Sequence, residues 1–135
     1  SRSYNLTAYG SQFLARTESN YQSFFNEDQG ISEVDESSAL QQFSGTRPCF
    51  LDEKSLAGYV VPLGFLRLAG VAIEEPVFLL TSTGVIRGIR AGGICEFGAT
   101  YAVMGDPRTS SELLEEYPDL LNEVNIISSV PDFVK

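Results

Sequence analysis

Two arginines, a glutamate and a tyrosine in the glycine-rich middle of the chain are the residues best suited to binding a charged ligand. Arg87 and Arg90 are followed by Glu96 and Tyr101 within eleven residues. A guanidinium group binds carboxylates and phosphates through paired hydrogen bonds. If neighbouring strands bring these four side chains together, they form an anion or small-ligand site. If not, they are ordinary surface ion pairs, which contribute little to stability.

The chain lacks the residue type that proton-transfer catalysis uses most often. The 135 residues include no histidine, which removes the commonest general base and metal ligand. Neither a G-x-S-x-G turn nor an S-x-x-K pair marks a nucleophilic serine. Glu74 and Glu75 would point to opposite faces of a strand, so they cannot readily serve one active site. We therefore expect a protein that is not an enzyme and that holds no metal and no cofactor.

The charge balance excludes further classes. Acidic residues outnumber basic residues 18 to 9, for a formal net charge of −9. Such a chain has no cationic surface for nucleic acid or anionic lipid. The longest apolar stretch, 58–72, is broken by Pro62, Gly64, Arg67 and Gly70, so we expect no membrane span. Neither direct nucleic-acid binding nor membrane association is expected.

The two cysteines leave two states open. Cys49 and Cys95 are 46 positions apart, which matches no zinc-ligand spacing. They pair if the fold brings them together, but we expect two buried free thiols, because cysteine packs as a small apolar residue. Free thiols favour the cytoplasm or the interior of a viral particle over secretion.

Charge also divides the chain into three regions, which we expect to form a single domain, 1–135. Residues 1–57 hold eight acidic and four basic residues, residues 58–104 three of each, and residues 105–135 seven and two. The neutral middle region reads as the core of the fold and the acidic regions as its cover. We predict an α+β fold, with an antiparallel sheet of three to five strands within about residues 58–104, covered by N-terminal and C-terminal helices.

Within the middle region, the pattern predicts several strands. Residues 77–81 and 85–89 read as a hairpin around a Ser-Thr-Gly turn. The alternation over 94–104 predicts a half-buried strand. A further strand is predicted over 65–73, with a helix over 64–72 as the alternative.

The two acidic regions are predicted to be helical. Aromatic residues at helical spacing predict a helix that ends before residue 26, and a second helix is predicted over 32–43. In the last region, an apolar stripe predicts a helix from Thr109 to Val124 that Pro118 breaks or kinks.

The N-terminal aromatic residues give the leading functional hypothesis. Six aromatic side chains in the first 25 residues offer more apolar surface than a small sheet can cover. We expect a non-enzymatic assembly module that self-associates, as a homodimer or larger homo-oligomer, within a complex such as a virus or phage particle. The residues expected at its protein interface are Tyr9, Phe13, Tyr21, Phe24 and Phe25.

Two alternatives remain. The first is an acidic inhibitor or immunity-type protein that binds a basic partner through Glu115, Glu116 and Glu123, with strongly salt-dependent association. The second is a small-ligand-binding protein, or an unusual enzyme, that uses the region of Arg87, Arg90 and Glu96.

Overall fold

The structure, a computed structural model, describes residues 11–26, 31–32, 36–54, 59–101 and 106–130. Five strands form one sheet in the order β5-β4-β6-β1-β7, and two short strands, β2 and β3, pair separately. The strands are β1 (Ser11–Arg16), β2 (Phe25–Asn26), β3 (Ile31–Ser32), β4 (Pro48–Phe50), β5 (Val77–Phe78), β6 (Phe97–Tyr101) and β7 (Val124–Val130). With several helices added, the predicted α+β class is confirmed.

Short helices connect and cover the strands. They are α1 (Glu36–Leu40), α2 (Val61–Leu68), α3 (Ser82–Ala91), α4 (Ser111–Glu116) and α5 (Leu120–Glu123), with 3-10 turns at Thr17–Ser19, Gln41–Phe43 and Pro107–Thr109. Pro62 lies in the first turn of α2, where its missing N–H costs no hydrogen bond. The predicted break at Pro118 is confirmed, because α4 and α5 lie on either side of it.

The sheet is mostly antiparallel but contains a parallel part. β1 pairs antiparallel with both β6 and β7, and β4 pairs parallel with both β5 and β6. The chain therefore passes from β4 through α2 to β5 on one side, and then through α3 to β6 on the other. Parallel strands need such helical crossovers.

The two crossover helices lie on opposite faces of the sheet. Leu66 of α2 packs in one buried cluster with Phe13, Phe43 and Phe97. Val85, Ile86 and Ile89 of α3 pack in a second cluster with Leu14 and with apolar residues of α4 and α5. The central strands are thus covered on both sides.

Four sequence expectations need correction or refinement. The predicted N-terminal helix is wrong where the chain is described, because residues 11–16 form the interior strand β1. The hairpin is wrong, because its second strand, 85–89, is the middle of α3, which begins after the capping residue Thr81. The strand over 65–73 is wrong and its helical alternative correct, since α2 extends to Leu68. The strand predicted over 94–104 is present as β6, although Phe97 to Thr100 are all buried, so both of its faces are covered.

The position of the sheet also differs from the prediction. β1, β4 and β7 lie outside residues 58–104, so both acidic regions supply strands of the sheet as well as helices. The single domain 1–135 stays a prediction. No helix in the described ranges is long and apolar enough to cross a membrane.

The cysteines form a disulfide, so the expectation of two free thiols is wrong. Cys49 lies in β4 and Cys95 just before β6, and the parallel pairing of these strands places their Cα atoms 5.7 Å apart. That separation is the usual one for a disulfide. The bond therefore follows from the pairing of two strands that are far apart in sequence.

Candidate functional site

One end of the sheet has the topology of a ligand site. The parallel strands β4, β5 and β6 all end there, at Phe50, Phe78 and Tyr101. Ser11, the first residue of β1, pairs there with Tyr101 and with Val130, the last residue of β7. We call this end the carboxyl edge. In sheets with helices on both faces, ligands bind at this edge, where consecutive crossovers leave in opposite directions.

Buried polar residues concentrate at the carboxyl edge. Five polar residues are buried in the described chain, and four of them, Ser11, Gln12, Thr100 and Ser128, lie within two residues of these strand ends. Gln12 pairs in register with Thr100 on one side and Ser129 on the other. The next row on the same face, at Leu14, is apolar. The interior of the sheet therefore changes from apolar to polar at this edge.

Two of these hydroxyls are left without a protein partner. Ser11 Oγ and Thr100 Oγ1 are buried and make no hydrogen bond, although their residues are only 0% and 1% exposed. A buried hydroxyl without a partner costs about 1–3 kcal/mol, and such groups are rare in native proteins. They commonly mark the place of a water, an ion or a ligand.

The N-terminus of α3 lies at the same edge. Thr81 caps it, because its Oγ1 accepts a hydrogen bond of 2.9 Å from the Gly84 N–H. The Val85 N–H is bound to the Thr81 carbonyl, whereas the N–H groups of Ser82 and Thr83 have no acceptor among the described bonds. Free N–H groups and the helix dipole together attract anions.

A strained turn connects β5 to this helix. The Thr81 N–H donates to the Leu79 carbonyl at 2.9 Å, and Leu80 between them has a φ of +74°. These are the features of a γ-turn, which is unfavourable for a leucine, and Leu80 is 71% exposed. Only glycine fits at position 84, since a Cβ there would lie 2.7 Å from the Leu79 carbonyl oxygen. Strain of this kind concentrates at functional sites.

The predicted arginine site does not form. Arg87 on α3 binds Glu116 at 2.8 Å and Glu112 at 3.3 Å, which raises the pKa of Arg87 and lowers the pKa of Glu116. Arg90 binds Glu123 at 2.7 Å, and its guanidinium lies 4.0 Å from the centre of the Tyr117 ring. The ion pairs of both arginines therefore connect α3 to α4 and α5.

The other members of the predicted ligand site lie elsewhere. Glu96 precedes β6 and accepts a hydrogen bond of 2.9 Å from the Arg47 N–H. Tyr101 ends β6 at the carboxyl edge. The structure thus does not bring Arg87 and Arg90 together with Glu96, because the predicted strand that would have placed the arginines beside β6 is a helix. Glu115, from the predicted acidic surface, is exposed on α4.

The aromatic interface residues are largely core residues. Phe13 is fully buried, and Tyr21 packs edge-on against Phe43 at 5.0 Å. Burial raises the pKa of Tyr21 above its ordinary value. Phe24 and Phe25 are half-buried, and Tyr9 lies outside the described residues.

Apart from Tyr101, sequence reasoning missed the residues of the carboxyl edge. Gln12 and Thr100 are recognisable only once β1 and β6 are paired, since they are 88 positions apart in the chain. Thr81, three residues before Gly84, carried a usable signal, because threonine is a preferred helix cap. In the described part of the chain, acidic residues and cysteines nowhere form a group that could hold a metal ion.

The fold resembles that of a protein of known structure. No family model and no curated protein matches the chain. Among solved structures, it is similar to PhnD1 from Prochlorococcus marinus (MIT 9301) in complex with methylphosphonate, with a TM-score of 0.71 and 17% sequence identity. The match covers 96% of this chain and 43% of PhnD1, so the chain spans less than half the length of that protein.

This comparison corrects the leading functional hypothesis. The similar structure contains a small ligand, which contradicts the prediction of a self-associating assembly module, homodimer or virion component with protein partners. The acidic-inhibitor alternative required a protein partner as well. The small-ligand alternative agrees better, although the residues assigned to its site do not converge.

Proposed function

We propose that this protein binds a small oxyanion of the phosphonate or phosphate type at the carboxyl edge of its sheet. The observation that carries the proposal is the similarity of nearly the whole chain to a protein solved with methylphosphonate. The carboxyl edge supplies a matching chemistry, because oxyanions accept several hydrogen bonds and this edge offers unpartnered donors.

The donors are neutral, which suits an acidic protein. Lys54, four residues after the end of β4, is the described cation that follows one of these strand ends most closely in sequence. An anion can still bind, since backbone N–H groups at a helix N-terminus stabilise negative charge without a formal positive charge. Ser82 and Thr83 of α3 supply such N–H groups, and the Thr100 hydroxyl would add a donor directly or through one water.

The groups at the carboxyl edge also suit binding better than proton-transfer catalysis. The donor groups can orient and hold an anion, but hydroxyl and amide groups alone are poor proton carriers near neutral pH. We therefore propose a binding protein rather than an enzyme.

The disulfide bears on where this binding takes place. Such bonds persist mainly in oxidising compartments. Because Cys49 and Cys95 are joined, the thiol argument for a cytoplasmic or viral location no longer applies. We propose an oxidising environment for the folded protein.

Replacing Thr100 tests the role of the carboxyl edge. Thr100→Val keeps the shape of the side chain and removes the unpartnered hydroxyl. We expect the free energy of unfolding without ligand to stay equal or rise by about 1 kcal/mol, because a buried group without a partner is removed. The affinity for methylphosphonate should fall about tenfold, since a hydrogen bond to a charged group is lost.

Thr100→Ser is the matched control, because it keeps the hydroxyl. Chemical denaturation gives the stability and isothermal titration calorimetry the affinity. Equal methylphosphonate affinity in the wild type and Thr100→Val, or no binding by the wild type, would contradict the proposal.

A further inference from the structure

A cavity of about 390 Å³ lies at the end of the sheet opposite the carboxyl edge. β1 ends there at Arg16, and β7 begins there after Glu123. We call it the amino-edge cavity; its lining residues are Arg16, Thr17, Glu18, Arg90, Asn122 and Glu123. Its volume lies within the range of small-molecule sites.

One wall of the amino-edge cavity is fixed. Arg90 donates from Nε to Glu123 Oε1 at 2.7 Å and from Nη2 to Glu123 Oε2 at 3.4 Å. The Tyr117 ring, 4.0 Å away, supports the same guanidinium. A paired, stacked arginine is preorganised, so little conformational freedom is lost when a ligand contacts it.

The other wall, at Arg16, has hydrogen-bond donors that no described bond uses. Arg16 Nη1 binds Glu18 Oε1 at 2.8 Å, and no described bond uses its Nε or Nη2. The side chain of Glu18 is 81% exposed, whereas that of Arg16 is 28% exposed. An ion pair this exposed contributes little to stability, so a competing carboxylate can replace Glu18 at a small cost in free energy.

The Arg16 side chain packs against the backbone of Gly92. A Cβ at Gly92 would lie 2.9 Å from Arg16 Nη1 and 3.0 Å from Arg16 Cζ. Gly92 also has a φ of +72°, which disfavours other residues. The guanidinium therefore lies close to Gly92, which has no side chain to displace it. The side chains of Thr17 and Asn122, which line the same cavity, make no described hydrogen bond.

We propose that the amino-edge cavity binds a small dicarboxylate. One carboxylate takes the place of Glu18 on the Arg16 guanidinium, which accepts such groups in a bidentate arrangement. The second carboxylate accepts hydrogen bonds from Thr17, Asn122 and the unused Nη1 of Arg90. Glu18 already shows that a carboxylate fits against Arg16. This site is independent of the proposed oxyanion site at the carboxyl edge.

Succinate is the probe for this site, and uncharged succinamide is its matched control. We expect saturable binding of succinate and none of succinamide, measured by isothermal titration calorimetry. Arg16→Gln should weaken succinate binding about tenfold or more, because it removes the bidentate charged contact. Asn122→Asp, an exposed change on α5 that cannot disturb the core, should also weaken it by charge repulsion.

Thr100→Val separates the two sites, because it should leave succinate binding unchanged while it weakens methylphosphonate binding. Three results would overturn the dicarboxylate site: no binding of succinate by the wild type, equal binding of succinamide, or unchanged succinate affinity in both Arg16→Gln and Asn122→Asp. None of these results would affect the oxyanion proposal.

Discussion

The Arg108→Met variant should lose about 3 kcal/mol of unfolding free energy, a large fraction of the stability of a small domain. Arg108 is 2% exposed and binds both carboxylate oxygens of Asp106, at 2.9 and 2.7 Å. It also donates to the Val124 carbonyl at 2.7 Å. Methionine fills the space but leaves the Val124 carbonyl without its donor and the Asp106 carboxylate with only the backbone N–H of residue 108, at 2.9 Å. Urea denaturation followed by circular dichroism measures the loss.

Arg67→Met is the control for this substitution. Arg67 is exposed near the end of α2 and makes no described ion pair, so its replacement should change stability by less than about 0.5 kcal/mol. Equal stability of Arg108→Met and Arg67→Met would contradict the structural role of Arg108.

The same ion pair should be visible in the pH dependence of stability. Burial raises the pKa of Asp106, but hydrogen bonds from the Arg108 side chain and N–H, together with its charge, lower it below its ordinary value. The resulting stabilisation is present above the pKa of the unfolded chain, about 4, and is lost as the pH falls through the lower folded pKa. Arg108→Met should lose the part of this acid dependence that the side chain supplies, and an unchanged pH profile would argue against the pair.

Reduction of the disulfide is expected to have an effect of similar size. Cys49 and Cys95 close a loop with a sequence separation of 46, which in the chain-entropy model corresponds to about 4 kcal/mol of unfolding free energy. The midpoint of urea denaturation should therefore fall markedly when a reductant is added.

A Cys49→Ala, Cys95→Ala double variant provides the control for the reductant. It should be destabilised under both conditions and should not respond to reductant, since it contains no disulfide. Wild-type protein with the same denaturation midpoint in oxidising and reducing buffer would contradict the bond between β4 and the segment before β6.

The pattern of neighbouring residues in the sequence was enough to predict some elements of the fold. β6 was recognised from its alternation, and the break at Pro118 from the missing N–H of proline. α3 was missed because Val85, Ile86 and Ile89 have high strand propensity, yet their spacing buries one face of a helix. β1 was missed because a strand buried on both faces loses its alternation.

The candidate site could not be predicted from the local sequence pattern, for a different reason. It is assembled from β1, β6, β7 and the start of α3, whose pairing depends on the topology of the whole sheet. Arg87 and Arg90 were chosen as charged residues, but their carboxylate partners on α4 and α5 could not be foreseen before α3 was known to be a helix. The donors that remain available at the carboxyl edge are neutral and inconspicuous in sequence.

A titration of isotope-labelled protein with methylphosphonate, followed by amide chemical shifts, tests the central claim most directly. We expect saturable shifts concentrated at Gln12, Ser82, Thr83 and Thr100, where the polar end of the sheet meets the start of α3. Shifts confined to the opposite end of the sheet, around Arg16 and Glu123, or no shifts at all, would contradict an oxyanion site at the carboxyl edge.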